Sequence, residues 1–150
     1  MTTSFTLRRY ADADEAAAIE LWRRTWQQAY PDIDFAARLD WWRARWRREL
    51  VPKCVITIAE REDAMLGFVT VDPASGYLDQ IVVAPEAWGS ALAATLIAEA
   101  KRIAPAGLEL LVNQDNARAV RFYEKQDFVI TGADANQVSG APLHRMSWRP

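Results

Sequence analysis

The stretch VVAPEAWGSALAATLIAEA, residues 82–100, joins a β-branched run to a proline turn and a long alanine-rich segment. The apolar spacing from about Gly89 to Ile103 predicts a helix, which Pro105 ends. The apolar run from Leu108 to Val112 then predicts a strand. A strand, a crossover helix and an apolar strand predict a parallel βαβ unit, because a short turn cannot join parallel neighbours.

The rest of the chain supplies short elements around this unit. Strands are predicted over residues 5–9, 54–60, 65–72, 77–84, 128–131 and 143–148, and helices over 12–30, 34–50 and 116–126. Short turns join the three strands between residues 54 and 84, which predicts an antiparallel meander. The prediction is a mixed α/β (α+β) fold, a single domain over residues 1–150 with about seven strands and about four helices.

Composition and charge exclude several classes of protein. The 150 residues, 51% of them hydrophobic, suffice for one domain with its own core. A formal charge of −2 argues against general nucleic-acid binding, and no apolar run reaches the roughly 18 residues that span a membrane. The N-terminus lacks the apolar run of a signal peptide. Cys54 has no disulfide partner and His144 is the sole histidine, so we expect a cytoplasmic protein without a metal site.

The turn around Gly89 has the chemistry of an anion site. A helix N-terminus presents unpaired N–H groups and about half a positive charge. Glycine lets a phosphate approach the backbone closely, and Gly89 is the sole glycine in this stretch. The pattern fits a plain strand–helix connection equally well, because most such turns bind nothing.

A second segment, residues 112–128, predicts a wall for an extended ligand. Asn113 stands at a strand end and Asn116 at a helix start. Asn116, Ala119 and Tyr123 have i, i+3 and i+7 spacing, which places an amide, a small gap and a phenol on one helix face. Taken alone, Tyr123 also fits a packed aromatic residue with a satisfied hydroxyl group.

Together the two segments resemble the GNAT superfamily of N-acetyltransferases over residues 77–132. The strand at residues 81–85, with its turn and helix, matches that family's acetyl-CoA motif. A second and more specific motif is matched by Asn113, Asn116, Ala119, Phe122, Tyr123, Glu124, Lys125 and Phe128. The predicted element order of the whole chain is also that of the family.

The resemblance implies that the fourth and fifth strands are parallel and splayed, with acetyl-CoA between them and coenzyme A as the product. It assigns the cofactor to strand backbone, turn amides and helix-face side chains: Ile81, Val82 and Val83; Trp88, Gly89, Ser90, Ala91, Ala93 and Ala94; Asn113, Asn116 and Tyr123. The first two helices roof the acceptor site in this family. They would form an aromatic, partly cationic pocket, suited to an acceptor with a carboxylate, from Trp22, Trp26, Tyr30, Trp41 and Arg45.

This chain departs from the family pattern at the phosphate turn. Trp88 stands where Gln or Arg is usual, and Ala91 and Ala93 stand where glycines are usual. Alanine keeps its amide, and its methyl group matters only if the residue needs a positive φ. Asp127 also replaces a habitual glycine, although Asp accepts the left-handed conformation better than most residues. We therefore expect main-chain donors to bind the pyrophosphate.

Acetyl transfer to an amine needs a polarised carbonyl, a neutral amine and a protonated leaving sulfur. The resemblance places the polarising N–H near Ile81 and Val82 and the proton donor at Tyr123. Asp79 is the predicted general base, because strand periodicity points it to the face of Ile81. Glu60, at the end of another strand, is the reserve base, and proton loss to water is the alternative.

The segment WWRARWRRE, residues 41–49, admits two interpretations. Tryptophans among arginines suit a nucleic acid or an anionic lipid surface. Helical spacing favours the other interpretation, in which Trp42 and Trp46 face the core while Arg43 and Arg47 face solvent.

Three functions follow from these patterns. The first is an N-acetyltransferase that moves an acetyl group from acetyl-CoA to a primary amine of a small molecule or peptide by direct attack. The second is a non-catalytic acyl-CoA binder or sensor on the same fold, and the third is an interaction module that uses the Trp/Arg helix. We expect neither nucleic-acid nor membrane partners. Exposed tryptophans or an edge strand near the C-terminus are compatible with a homodimer.

Overall fold

The computed structural model describes residues 5–150 as seven strands and four main helices. Residues 1–4, part of the N-terminal segment in which no signal peptide is expected, lie outside the described residues. The strands are β1 Thr6–Arg9, β2 Val55–Arg61, β3 Ala64–Val71, β4 Leu78–Val83, β5 Leu108–Asn113, β6 Val129–Ala135 and β7 Pro142–Trp148.

The helices are α1 Glu15–Ala29, α2 Leu39–Arg45, α3 Leu92–Ile103 and α4 Ala117–Lys125. α2 continues through a π-helical turn, Trp46–Leu50, and a last α-helical turn, Val51–Lys53. The helix therefore extends one turn beyond its predicted end at residue 50. Within residues 5–150, no helix combines the length and the apolar character needed to cross a bilayer.

The strands form two antiparallel sheets. The first has the order β1-β2-β3-β4, and the second has the order β5-β7-β6. The β2–β3 hairpin turns at Glu62 and Asp63, whose φ values of 52° and 65° suit a two-residue turn. These pairings confirm the predicted mixed α/β fold and its antiparallel meander.

Helices cover both faces of the first sheet. Trp46, where α2 continues as a π-helical turn, meets Phe68 of β3 edge-on, with ring centroids 5.3 Å apart. Gly67 faces the other way, since a Cβ added there would stand 3.3 Å from the side chains of Leu92 and Leu96 of α3. Because neighbouring strand residues point to opposite faces, α2 and α3 lie on opposite sides of the sheet.

Tryptophans fill the core between α1, α2 and the sheet. Trp42 is 1% exposed and Trp46 is fully buried, which confirms that both belong to the core stripe of α2. Trp22 of α1 stacks on Trp42 with ring centroids 4.6 Å apart.

Two predicted boundaries are wrong for physical reasons. α3 begins at Leu92, because Gly89 adopts a φ of 81°, which a right-handed helix does not contain. β6 runs to Ala135, past its predicted end at residue 131, because its pairing with β7 continues across Gly132.

Candidate cofactor and acceptor site

A gap opens between β4 and β5, which are edge strands of the two sheets. In the described part of the chain a single parallel bridge, Tyr77 with Glu109, connects the sheets at one end of these strands. There the Glu109 amide donates to the Gly76 carbonyl at 3.0 Å. Past the bridge the strands separate toward Val83 and Asn113, which confirms the predicted splayed parallel pair.

The closed end of the gap depends on close backbone approach at Gly76. This residue has a φ of 77°, and a Cβ added to it would collide with the carbonyl of Gly107. Glycine is therefore required here both for its conformation and for space. The approach holds β4 and β5 together at one end only.

β4 turns unpaired backbone groups toward the gap. The Ala84 amide donates to Leu66 across the β3–β4 ladder at 2.8 Å. By alternation, Ile81 and Val83 direct their N–H and C=O groups to the other side, toward β5. Val82 directs its groups to β3 and its side chain is buried, so its assignment as a cofactor-binding or polarising residue is wrong.

β5 does the same from its own side. The Gln114 amide donates to Pro142 across the β5–β7 ladder at 3.0 Å, so Leu111 and Asn113 turn their backbone groups toward β4. The Asn113 carbonyl is used by the Asn116 amide at 3.0 Å, so on this edge the Leu111 groups and the Asn113 amide remain. Two facing strand edges with such donors and acceptors can accept an extended ligand as an added strand.

The turn between β4 and α3 lies at the open end of the gap. The amides of Trp88 and Ser90 are used inside the turn, where they donate to the carbonyls of Pro85 and Ala87 at 3.2 Å. Their assignment as phosphate donors is wrong for that reason. No acceptor within residues 5–150 receives a hydrogen bond from four other amides of the turn, those of Gly89, Ala91, Ala93 and Ala94.

The backbone conformation shows which glycines this turn needs. Gly89 has a φ of 81°, and a Cβ added there would meet no atom within 4 Å, so the requirement is conformational only. Ala91 has φ −75° and ψ −2°, which are ordinary for alanine, and Ala93 lies in α3. Asp127 adopts the expected left-handed conformation, with a φ of 71°. The missing glycines thus remove no donor, and the four free amides at a helix N-terminus fit a pyrophosphate.

Trp88 lies across the open end of the gap. Its indole N–H donates to the Val83 carbonyl at 2.8 Å and so occupies one acceptor of the β4 edge. The guanidinium of Arg118, on α4, lies 5.3 Å from the centroid of the Trp88 ring. α4 and the turn between β4 and α3 are therefore in contact at this end.

The turn between β5 and α4 uses its polar side chains internally. Asn116 caps α4, because its Oδ1 accepts from the Ala119 amide at 3.2 Å. The side-chain amide of Asn113 donates to the Tyr30 hydroxyl at 2.9 Å, and that hydroxyl donates to Asp115 at 3.1 Å. These bonds bring the predicted residues Asn113 and Tyr30 together and tie the end of α1 to β5.

Tyr123 is packed but keeps a free hydroxyl. The residue is 9% exposed, and its ring lies 5.4 Å from that of Phe122 and 5.7 Å from that of Phe128. Among the described residues the phenol has no hydrogen-bond partner. Burial raises the pKa of Tyr123 above its ordinary value, so the phenol is protonated at neutral pH and can act as a proton donor.

Asp79 faces the α2 layer, and its predicted position on the face of Ile81 is wrong. A β-bulge opposite Val71 leaves Asp79 unpaired and shifts the alternation along β4 by one residue. The carboxylate of Asp79 therefore meets Arg45 of α2, at 2.9 and 2.5 Å.

The Arg45–Asp79 ion pair lies in a crowded electrostatic environment. Arg45 also pairs with Glu49 at 3.2 Å, and its hydrogen bonds to Asp79 raise the pKa of Arg45. Burial raises the pKa of Tyr77 to about 12 and that of Cys54 to about 11, and the charge of Asp79 adds to both effects. The Tyr77 phenol and the Cys54 thiol are therefore both neutral at pH 7.

Two further predicted site residues are wrong. Glu60 lies on β2, which β3 separates from β4, and it pairs with Arg8 at 3.0 Å. Its strand is about 10 Å from β4, too far for direct proton transfer at the gap. Trp22 is 5% exposed and stacked on Trp42, so it supports the core and cannot line a pocket.

The remaining aromatic residues of the predicted acceptor pocket stay available. Trp26 and Tyr30 are half-buried and stack with ring centroids 5.8 Å apart. Trp41 is 47% exposed and stands one helical turn before Arg45.

Three residues of the site were missed from the sequence. Asp115 bonds Tyr30, Gln80 donates to Asp79 at 3.1 Å, and Arg118 meets Trp88. Each neighbours a predicted residue along the chain, and that proximity is the only signal they gave. The contacts of Asp115 and Arg118 join elements that are distant in sequence, whereas Gln80 contacts its own neighbour on β4.

Comparison with known proteins agrees with this architecture. The family model described as the acetyltransferase (GNAT) family matches residues 16–128. Peptidyl-lysine N-acetyltransferase YjaB of Salmonella typhimurium is 28% identical over 95 residues, which are 63% of this chain and 63% of that protein. The matched region thus spans less than two thirds of the length of this relative.

Two solved structures show the same fold. Apo-form YjaB from Escherichia coli has a TM-score of 0.77 at 23% identity, over 97% of this chain and 98% of that one. YncA from Salmonella typhimurium, solved with its cofactor acetyl-CoA, has a TM-score of 0.66 at 18% identity, over 98% and 94% of the two chains. The family model covers most of the sequence, including the splayed strands and both helices that follow them, and this chain therefore belongs to the acetyltransferase (GNAT) family.

Proposed function

We propose that this protein transfers an acetyl group from acetyl-CoA to a primary amine of a small molecule or peptide by direct attack. The gap between β4 and β5 carries the proposal, because backbone groups are free on both of its edges and four amides are free at its open end. Family membership and the acetyl-CoA bound by the YncA structure support it.

The open end of the gap would hold the coenzyme through main-chain groups. Ile81 and the Val83 amide would pair with the pantetheine arm as with an added strand. The free amides of the turn after β4 would bind the pyrophosphate at the positive end of the α3 dipole. The side chains of that turn would contribute less to pyrophosphate binding than its main-chain amides.

The chain supplies two groups for the chemistry itself. Acetyl-CoA provides a thioester whose carbonyl carbon is open to attack by an amine. The Ile81 N–H, free on the gap side of β4, would donate to the thioester oxygen as negative charge develops there. Tyr123 would donate its phenolic proton to the departing sulfur, since a phenol with an ordinary pKa of about 10 is protonated at neutral pH.

Asp79 remains the proposed general base. A carboxylate has about four acceptor positions, of which Arg45 uses two and Gln80 a third, so one remains on Oδ2. A water bound there would take the proton that an alkyl amine of pKa about 10.4 must lose. Asp79→Asn should lower kcat/KM at pH 7. The difference from the wild type should shrink as the pH approaches the pKa of the amine, because the amine then arrives already deprotonated.

The charges around the acceptor side favour a cationic amine over the carboxylate-bearing acceptor expected from the sequence. Arg45 is paired with both Asp79 and Glu49, so these three side chains together carry a net charge of −1. A lysine side chain or a polyamine is complementary to such a site. The name of the relative YjaB, a peptidyl-lysine N-acetyltransferase, is in keeping with this preference.

Two measurements on the purified chain test the proposed function. Calorimetry with coenzyme A should show saturable binding, and its absence would overturn the proposal. A thiol-release assay with acetyl-CoA should then be run against lysine peptides, polyamines and carboxylate-bearing aromatic amines. Binding without turnover of any amine would instead identify the non-catalytic acyl-CoA binder.

The contacts of the Trp/Arg helix argue against an interaction module. Its core tryptophans are buried, Arg45 is bound to Asp79, and the exposed Arg47 pairs with Glu15 at 2.6 Å. Trp41 and Arg48 stay exposed on this helix, so the cationic and aromatic surface left for nucleic acid or lipid is smaller than the sequence pattern indicates.

We also propose β6 as the surface of the predicted homodimer. β6 is an edge strand, and Val129 and Ile130 on it are 60% and 47% exposed. Light scattering should give the mass of two chains, and Ile130→Lys should reduce it to that of one; a monomeric wild-type protein would refute the proposal.

A further inference from the structure

Trp88 poses a chemical problem for a phosphate-binding turn. It replaces a side chain that could donate to an anion, and its only donor is already bound to the Val83 carbonyl at 2.8 Å. The indole is therefore fixed at the open end of the gap without a polar group to offer. Its ring face is what remains for a contact.

Arg118 uses that ring face. Its guanidinium lies 5.3 Å from the ring centroid, and the side chain is exposed. No carboxylate within residues 5–150 pairs with it. A guanidinium stacked on an aromatic ring keeps its in-plane N–H donors free for a phosphate.

The position of Arg118 on its helix is unfavourable without an anion. It is the second residue of α4, where the helix dipole is positive and a cation is destabilising. The stack on Trp88 offsets this penalty by a similar amount, but it gives the in-plane N–H donors of the guanidinium no acceptor. A phosphate at the open end would resolve the conflict, because the free amides of the β4–α3 turn and the guanidinium would face the same charge.

We infer that Arg118 binds the pyrophosphate of coenzyme A and that Trp88 is the positioning residue that holds it there. The cation that this family usually carries in the turn is thus supplied from α4, across the gap. The inference rests on the proposed function, since it requires that the chain bind coenzyme A.

Calorimetry with Arg118→Gln tests the contact. The variant should bind coenzyme A about tenfold more weakly, as expected for the loss of one charge-assisted hydrogen-bonding group. Arg121→Gln is the matched control, because Arg121 is an exposed arginine on the same helix with no contact to Trp88, and it should bind as the wild type does. Equal losses of coenzyme A affinity in both variants would mean that only the net positive charge of α4 attracts the coenzyme, and would overturn the inference.

Three ligands identify the phosphate concerned. The loss caused by Arg118→Gln should be the same with coenzyme A and with 3′-dephospho-coenzyme A, and it should vanish with pantetheine, which has no phosphate. A loss that disappears with the dephospho form would assign Arg118 to the 3′-phosphate and overturn the pyrophosphate contact. A loss that persists with pantetheine would mean that the substitution disturbs the fold of the site.

A double-mutant cycle tests the role of Trp88. Trp88→Leu should weaken coenzyme A binding severalfold in the wild-type background and leave it unchanged in the Arg118→Gln background. The reason is that the Trp88 ring affects binding only by holding the Arg118 guanidinium in place. Additive losses would overturn the positioning role. If the wild type binds no coenzyme A, the proposed function fails; if it binds and Arg118→Gln binds equally, only this inference fails.

Discussion

The two strand–helix turns at the open end of the gap have the same topology but treat their helix N-termini differently. After β5, Asn116 caps α4 and satisfies the Ala119 amide with its own side chain. After β4, the N-cap residue Ala91 offers no capping side chain, the Ser90 hydroxyl accepts from the Leu92 amide at 3.3 Å, and four amides of the turn have no acceptor within the described chain. The turn after β4 thus leaves more amides free, although those of Ala117 and Arg118 at the start of α4 also have no acceptor among residues 5–150.

This difference shows that a helix N-terminus becomes an anion site through its free donors and not through its dipole alone. Both helices present the same dipole, but the capped one has committed a donor to its own stability. The capped helix instead fixes the orientation of α4, which carries Tyr123 and Arg118. We therefore expect substitutions in the first turn to change coenzyme affinity, and those in the second to change stability or turnover.

Tyr123→Phe should have the largest effect and should act on turnover. The phenyl ring keeps its packing between Phe122 and Phe128, and only the proton donor is lost. We expect kcat to fall by about 100-fold, the usual contribution of a general acid. Calorimetry should show unchanged coenzyme A affinity, and a kcat near that of the wild type would exclude Tyr123 as the acid.

Gly89→Ala should have the next largest effect and should act on affinity. The substituted turn relaxes away from a φ of 81° in the free protein, and binding must restore it. That strain is about 1–2 kcal/mol, so coenzyme A should bind roughly tenfold more weakly.

Gly140→Ala is the matched control for this substitution. Gly140 has a φ of 74° and equally open space around its Cβ position, but it lies in the β6–β7 turn. Both variants should lose similar stability in thermal unfolding, while Gly140→Ala retains full affinity. A parallel loss of affinity in both would show that the turn after β4 has no special role.

Asn116→Ala should act mainly on stability. Loss of the cap of α4 should cost about 1 kcal/mol of unfolding free energy. Asn116→Asp keeps the capping oxygen but removes the side-chain amide donor that the family resemblance assigns to the pantetheine arm. Urea unfolding should therefore distinguish only Asn116→Ala. Because the carboxylate of Asn116→Asp also repels phosphates, the decisive ligand is pantetheine, which has none, and its weaker binding would show that the donor contacts the pantetheine arm.

Ala91→Gly should have the smallest effect. Ala91 has a φ of −75°, so restoring the glycine usual in the family relieves no strain and adds no donor. We expect coenzyme A affinity to stay within about twofold of the wild type, with stability lower by less than about 1 kcal/mol. A clear gain in affinity would mean that the methyl group obstructs the phosphate.

Local patterns predicted the elements well and the site only in part. Hydrophobic periodicity placed Trp42 and Trp46 in the core. The spacing of Asn116, Ala119 and Tyr123 predicts one helix face along the site, although Asn116 precedes α4 as its cap. Periodicity predicted the wrong face for Asp79, because a β-bulge shifts the alternation of β4. No residue type in this strand indicates that a bulge is present. The assignment of Trp22 failed because the same helical stripe fits a core residue and a pocket wall.

The sequence by itself determined the order of strands and helices and the βαβ unit at the centre. These follow from periodicity and backbone preferences, which act between near neighbours along the chain. Only the tertiary structure decided which amides of the turn are free, that Arg45 engages Asp79, and that Arg118 stacks on Trp88. Those contacts join residues on different elements, and their geometry depends on how the sheets and helices pack.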